Sequence, residues 1–107
     1  MAIQVHFAFL HCESTDDAST DEIIVRWAGQ PIFGPRDMEE GSEVDVNQFV
    51  LLQGDSEVVE LFDEDFPSDD HLGGHIIRKD ELGQGFRTAL FRNEDANYRL
   101  DYEVFQG

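Results

Sequence analysis

A dense group of carboxylates between residues 63 and 70 is the strongest chemical signal in the sequence. The apolar run that ends at Phe62 predicts a β-strand, and Asp63 and Asp65 follow it two residues apart, on the same side of an extended chain. Asp69 and Asp70 come next, across a short segment. Carboxylates this close repel one another unless a cation lies between them, and hard oxygen ligands of this type suit Ca²⁺. The cluster therefore predicts a calcium site.

Composition limits the class of protein and the kind of partner. The chain has 107 residues, of which 24 are acidic and 7 basic, so its formal net charge is −17. With 40% hydrophobic residues and nine phenylalanines, it is a folded domain and not a disordered acidic tail. We expect one domain over residues 1–107. The charge excludes nucleic acid as a partner and favours metal ions, a basic protein partner, or a high-salt environment.

The pattern along the chain is that of an all-β protein. Short runs rich in β-branched and aromatic residues alternate with clusters of Gly, Asp, Ser and Pro, and helical periodicity is nearly absent. Eight strands are predicted, at about 2–11, 22–28, 31–33, 44–52, 57–62, 74–79, 86–92 and 98–105. We expect Trp27 and the phenylalanines to form the core, with Cys12 as a small buried hydrophobic residue that has no disulfide partner.

The acidic residues are predicted to gather at one end of the sandwich. If successive strands are antiparallel, alternate connections lie at the same end, and residues 13–22, 34–42, 63–70 and 93–97 are four such connections. Together they hold 15 of the 24 acidic residues, whereas the opposite end has only Asp55, Asp80 and Glu81. A solvated acidic surface is the alternative interpretation, but it gives no reason for acids to concentrate at one end. A metal-binding rim is therefore favoured.

Two segments about forty residues apart resemble the calcium-binding loops of C2 domains. These are Thr20-Asp21-Glu22 before a strand, and Asp63-Glu64-Asp65 followed by Asp70-His71-Leu72-Gly73. The resemblance implies an eight-stranded antiparallel Greek-key β-sandwich, a C2-like fold with metal loops at one end. It also implies a calcium-binding function. By position it implies Asp21, Asp63, Asp65 and Asp70 as ligands, with Asp16 as a fifth and Asp17 as its alternative. Asp69, as a member of the carboxylate cluster itself, is a further candidate ligand. Separately, no Ser/His/Asp or Cys/His arrangement stands out in the sequence, so we do not expect an enzyme.

A loop phenylalanine and four metal-ligating side chains offer chemistry of a different kind. Phe66 stands between the acids of residues 63–70, which we call the third loop. There it could insert into a bilayer or a partner, or fold back against the sandwich. His71 and His75, with His11 and Cys12, are a weaker alternative as a transition-metal site, because a spacing of four does not converge on a metal in a strand. We expect these histidines to be ordinary surface residues.

Two functions from different classes follow from these features. The first is a calcium-binding module that contacts a partner, or makes weak calcium-dependent contact with a membrane through Phe66. The second is an acidic interaction protein, of the inhibitor or immunity type, that caps a basic surface. No secretion signal or membrane-spanning run is recognisable, which predicts a cytoplasmic protein or one exported by a non-classical route.

Overall fold

The computed structural model describes residues 2–15, 20–65, 68–93 and 96–107. It contains eight β-strands and one short 3-10 helix, Lys79–Glu81. The strands are β1 Ile3–Ser14, β2 Thr20–Trp27, β3 Gln30–Glu39, β4 Glu43–Leu51, β5 Ser56–Asp63, β6 Asp70–Arg78, β7 Phe86–Arg92 and β8 Asn97–Gln106. The all-β prediction with eight strands is confirmed. In the described part of the chain, no helix is both long enough and apolar enough to cross a bilayer.

The strands form two four-stranded antiparallel sheets that pack face to face. The first sheet has the order β4-β1-β8-β7 and the second the order β3-β2-β5-β6. Because β1 pairs with β4 and β8 and not with β2, the chain passes between the sheets after β1, β3, β4 and β6. This crossing pattern confirms the Greek-key sandwich, and it leaves β3, β4, β6 and β7 as edge strands.

Alternation along each strand builds the core. On β8, Tyr98, Leu100, Tyr102 and Val104 point inward and are almost completely buried, while the residues between them face outward. Cys12 and Trp27 are buried as predicted. The prediction that the phenylalanines are core residues holds for only part of the set. Phe7 and Phe91 are buried, but Phe9, Phe49 and Phe86 are exposed on strands whose alternation turns them to the outer face.

Two predicted strand boundaries were wrong by four residues or more, and both belong to edge strands. β3 was predicted at 31–33 but extends to Glu39, and β6 begins at Asp70 and not at residue 74. Each pairs with one neighbour only, so its outer positions face water and need no apolar residues. Such a strand tolerates polar residues, Gly34 and Pro35. Because these residues interrupt the apolar alternation, the sequence pattern predicts only part of β3.

The connections that carry most of the acids do lie at one end of the sandwich. The amide of Cys12 near the end of β1 donates to the carbonyl of Ser42 in the β3–β4 turn, at 2.9 Å. The side-chain amide of Asn93 after β7 donates to the carbonyl of Leu72 near the start of β6, at 3.3 Å. We call the end formed by the β1–β2, β3–β4, β5–β6 and β7–β8 connections the acidic end. Of its 15 predicted acids, four lie outside the described residues: Asp16, Asp17, Glu94 and Asp95.

Candidate metal site at the acidic end

Asp21 lies inside the acidic end of the sandwich. It is the second residue of β2, and alternation places it on the inward face with Ile23 and Val25, fully buried. The hydroxyl of Tyr98 donates a hydrogen bond to its Oδ2 at 2.5 Å, across the gap between the two sheets. Burial, followed by this hydrogen bond to Asp21, raises the pKa of Tyr98, so the hydroxyl keeps its proton and remains a donor.

The thiol of Cys12 lies beside the same pair. Burial raises the pKa of Cys12; the hydrogen bond with Tyr98 opposes this increase, and the charge of Asp21 adds to it. The cysteine is therefore held as a neutral thiol in the wall of the acidic end. A neutral sulfur of this kind is a poor ligand for Ca²⁺, which prefers oxygen.

Asp63 is the second buried carboxylate at this end. It is the last residue of β5, it is 2% exposed, and its Oδ1 accepts a hydrogen bond from the amide of Glu22 at 2.9 Å. The register pairs Asp63 with Ile23 on β2 and with Asp70 on β6. Asp21, Asp63 and Asp70 therefore stand on three neighbouring strands at the same end of one sheet.

Asp65 and Asp69 belong to the connection that follows β5. Because β5 ends at Asp63, strand alternation does not extend to Asp65, which is exposed. The amide of Asp65 donates to Oδ1 of Asp69 at 3.3 Å. Asp69 also forms an ion pair with Arg26, with 3.1 Å between Oδ2 and the guanidinium nitrogen. Arg26 in turn lies over the ring of Phe62, at 4.2 Å from its centroid.

This ion pair places Asp69 toward the outer face of the sheet. Arg26 and Phe62 alternate with the buried residues of β2 and β5, so they face outward. Asp21 and Asp63 face inward. The structure therefore places Asp21, Asp63 and Asp70 at the same end of three neighbouring strands and directs Asp69 toward the outer face. As a metal ligand, Asp69 would have to leave Arg26.

Asp70 begins β6 and is exposed. The glycine three residues later, Gly73, has a φ of +143°, and a Cβ at this position would lie 3.4 Å from the ring of Phe91. The β5–β6 register shifts at Leu61 and Phe62, next to this glycine. The glycine of the Asp-x-x-Gly motif is thus explained by a β-bulge and close packing, independently of any metal.

The remaining predicted positions of the site lie outside the described residues. They are Asp16 and Asp17 in the β1–β2 connection, which we call the first loop, and Phe66 in the third loop. Within the described residues, no group of three or more His, Cys, Asp or Glu side chains is gathered closely enough to hold a metal ion. Assignment of the seven aspartates as ligands therefore stays a prediction.

Sequence reasoning did not identify Tyr98 and Arg26 as partners of these acids. A tyrosine at an inward position of β8 was a usable signal, because a buried phenolic hydroxyl needs a hydrogen-bond partner. Arg26 gave a weaker signal, since it is the basic residue of β2 and alternates outward.

The histidines do not converge on a common metal site. His71 faces outward, where it is 3.0 Å from Glu60 and packs on Phe62. His75 follows the bulge at Gly73 and points to the opposite face, with Nε2 at 3.2 Å from the hydroxyl of Tyr102. The bulge thus places two histidines four residues apart on opposite faces.

Comparisons with known proteins connect this sandwich to solved structures. No family model and no curated protein sequence matches the chain. The structure titled "Structure of a C2 domain" is similar over 95% of this chain and 97% of its own, with a TM-score of 0.63 and 16% identity. A structure of the C2A and C2B domains of extended-synaptotagmin 2 has a TM-score of 0.57 and 23% identity over 96% of this chain and 39% of that one.

Two further structures have the same sandwich. A calcium-bound structure of the same extended-synaptotagmin 2 domains matches 95% of this chain and 44% of its own, with 22% identity and a TM-score of 0.52. The human GIVD cytosolic phospholipase A2, in complex with an inhibitor and terbium chloride, matches 98% of this chain at a TM-score of 0.55 and 15% identity. The chain spans only 17% of that phospholipase. Identities this low establish a shared fold and nothing more.

Proposed function

We propose that this chain, which has the C2-like β-sandwich fold, is a calcium-binding module whose ion is held at the acidic end. The observation that carries the proposal is the position of Asp21, Asp63 and Asp70 on three adjacent strands, at the end where the first and third loops meet. A structure with the same fold, the C2 domains of extended-synaptotagmin 2, is calcium bound.

The donor set fits Ca²⁺ in its chemistry. The donor set consists of carboxylate oxygens. Two of the carboxylates are oriented by hydrogen bonds: Asp21 accepts one from the Tyr98 hydroxyl, and Asp63 accepts one from the Glu22 amide. Asp65 and Asp70 are exposed nearby, and Asp16 and Asp17 of the first loop are the further candidate ligands. Calcium would supply the positive charge that relieves repulsion among these carboxylates.

A calcium titration tests the proposal. Because a ligand that binds only the native state adds RT ln(1 + [L]/Kd), a hundredfold excess over Kd should raise the free energy of unfolding by about 2.7 kcal/mol. We expect Ca²⁺ to raise the melting temperature at constant ionic strength, and calorimetry to show saturable binding. An unchanged melting temperature in millimolar Ca²⁺ would overturn the proposal.

Matched variants locate the site. Asp63→Asn and Asp65→Asn should each weaken calcium binding strongly, because each removes a charge at the acidic end. Asp101→Asn is the control: Asp101 lies on β8, on the outer face of the other sheet, where it accepts a hydrogen bond from Thr88. Equal calcium affinity for Asp63→Asn and the wild type would exclude the assignment of Asp63.

Contact with a membrane is the weaker part of the proposal. Adding the four positive charges of two Ca²⁺ to the formal charge of −17 leaves −13, which repels anionic lipid over about 8 Å at physiological salt. We expect no binding to phosphatidylserine vesicles without calcium and weak binding with it. Sedimentation with vesicles measures this directly, and loss of the calcium-dependent fraction in Phe66→Ala would place the contact at the third loop.

A second candidate function is that of an acidic protein that caps a basic partner surface. The exposed carboxylates of Glu39, Glu40, Glu64 and Asp65 at the acidic end favour it. The melting curve separates the two functions, because this one requires no calcium-dependent stabilisation. Instead it predicts that increasing salt weakens the complex with the partner.

A further inference from the structure

The outer face of the β4-β1-β8-β7 sheet exposes large apolar side chains to water. Phe49 is 54% exposed, Leu51 50%, Phe86 58% and Phe9 44%. They stand on three different strands, β4, β7 and β1, at positions that alternate outward. An antiparallel sheet with one free face normally presents polar residues on it, so an apolar outer face is informative.

Ring contacts link several side chains of this surface, which we call the aromatic face and which consists of His6, Phe9, Phe49, Leu51, Phe86 and Phe105. His6 on β1 stacks on Phe49 with 4.2 Å between ring centroids and 1° between the planes. Phe86 meets the other side of His6 edge-on at 6.1 Å, and Phe105 meets Phe49 edge-on at 6.0 Å. Leu51 is in register with Gln4, which is also in register with Phe105. The face thus spans all four strands of the sheet.

The outer face of the other sheet has a different character. There Arg26 pairs with Asp69, and His71 pairs with Glu60. Ile76, 62% exposed, is the one large hydrophobic residue of that sheet found exposed in the described chain. A general lack of polar residues on this small domain therefore does not explain the aromatic face.

Carboxylates are interleaved with the apolar side chains. The register places Asp45 and Asp101 on either side of Phe9, and Glu103 between His6 and Phe86. Among the described residues, none of these three carboxylates forms an ion pair. Asp101 accepts a hydrogen bond from the neutral hydroxyl of Thr88. The face is therefore both apolar and negatively charged.

We propose that the aromatic face docks a basic amphipathic segment of a partner protein, with apolar side chains against Phe49 and Phe86 and lysine or arginine side chains against Asp45, Asp101 and Glu103. Charge complementarity selects this occupant. A second copy of the chain is a poor occupant, because it brings a formal charge of −17 and the same three carboxylates. An anionic membrane is likewise repelled by the negative charge of this face. This site lies on a sheet face, apart from the acidic end, and is independent of calcium.

The probe is a synthetic amphipathic helix of leucine and lysine of about 18 residues, roughly five turns. Calorimetry at physiological salt should show saturable binding to the wild type. Phe49→Ser/Phe86→Ser should lower the affinity at least about tenfold, because the anchors of an interface carry most of its energy. The matched control Ile76→Ser removes an equally exposed apolar side chain from the other sheet and should leave the affinity unchanged. A peptide with glutamate in place of lysine should not bind.

The histidine signals provide a second readout. The ring protons of His6 should shift in the NMR spectrum when the peptide binds, because its imidazole lies between Phe49 and Phe86. If the double variant unfolds, Phe86→Ser on edge strand β7 provides the same test alone.

Four results would overturn the proposal. They are the absence of saturable binding, equal affinity for the double variant and the wild type, binding of phosphatidylcholine vesicles that Phe49→Ser/Phe86→Ser abolishes, and a wild-type dimer that the same double variant dissociates. The second result would place the peptide away from the aromatic face. The third would make the face a lipid contact, and the fourth would make it an interface between copies. Failure of the calcium titration would leave this proposal intact.

Discussion

Removal of a single hydroxyl tests how the buried carboxylate of Asp21 is stabilised. Tyr98→Phe keeps the ring and its packing but deletes the donor that lies 2.5 Å from Asp21 Oδ2. Both residues are fully buried, so water does not readily replace the lost hydrogen bond. We therefore expect the variant to fold but to be clearly less stable than the wild type.

The magnitude follows from the type of bond. A hydrogen bond to a charged group contributes about 1.5–3 kcal/mol, and a buried acceptor that loses its donor carries the cost of its desolvation. For a domain of this size, a loss in this range lowers the melting temperature by on the order of 10 °C. The matched control is Thr88→Val, which deletes a hydroxyl donor 2.9 Å from Asp101 in an exposed position. It should change the free energy of unfolding by less than about 0.5 kcal/mol.

Urea denaturation of four proteins measures the interaction itself. The wild type, Tyr98→Phe, Asp21→Asn and the double variant form a cycle that isolates the coupling between the two side chains. We expect a coupling energy of roughly 1–3 kcal/mol in the absence of calcium. If Tyr98→Phe costs no more than Thr88→Val, the hydroxyl does not stabilise the carboxylate and the reasoning is refuted.

Two further predictions concern positions away from the acidic end. Gly34→Ala should cost about 3 kcal/mol or more in urea denaturation, because φ is +93° and the new Cβ would lie 2.1 Å from the carbonyl oxygen of Ile23. Gly29→Ala, with φ +80° and no atom within 4 Å of its Cβ, should cost only ~1–2 kcal/mol; equal costs would contradict the steric argument. Burial lowers the pKa of His75 in the folded protein. The imidazole is therefore protonated more readily in the unfolded chain than in the folded one, and the free energy of unfolding should fall as the pH decreases through about 6.5. His75→Gln should lose less stability than the wild type between pH values of about 7.5 and 5.5, and an identical loss would show that His75 does not contribute.

Local sequence pattern was sufficient for the architecture and for the location of the acids. Alternation with period two identified eight strands, since side chains on a strand must alternate between core and water. Antiparallel order then placed alternate connections at one end of the sandwich. The Tyr98–Asp21 and Cys12–Ser42 hydrogen bonds confirm that these connections lie at the same end. The same logic failed at the edge strand β3, because a strand with one neighbour needs little apolar alternation.

Tertiary structure alone decided which acids stand together and what each of them contacts. Arg26 reaches Asp69 across 43 residues, and Tyr98 reaches Asp21 across 77. Those contacts depend on the order of strands within and between the sheets, which residue spacing does not encode. The same order turned Phe49 and Phe86 outward, because whether an alternating residue faces core or water is determined by the sheet on which its strand packs.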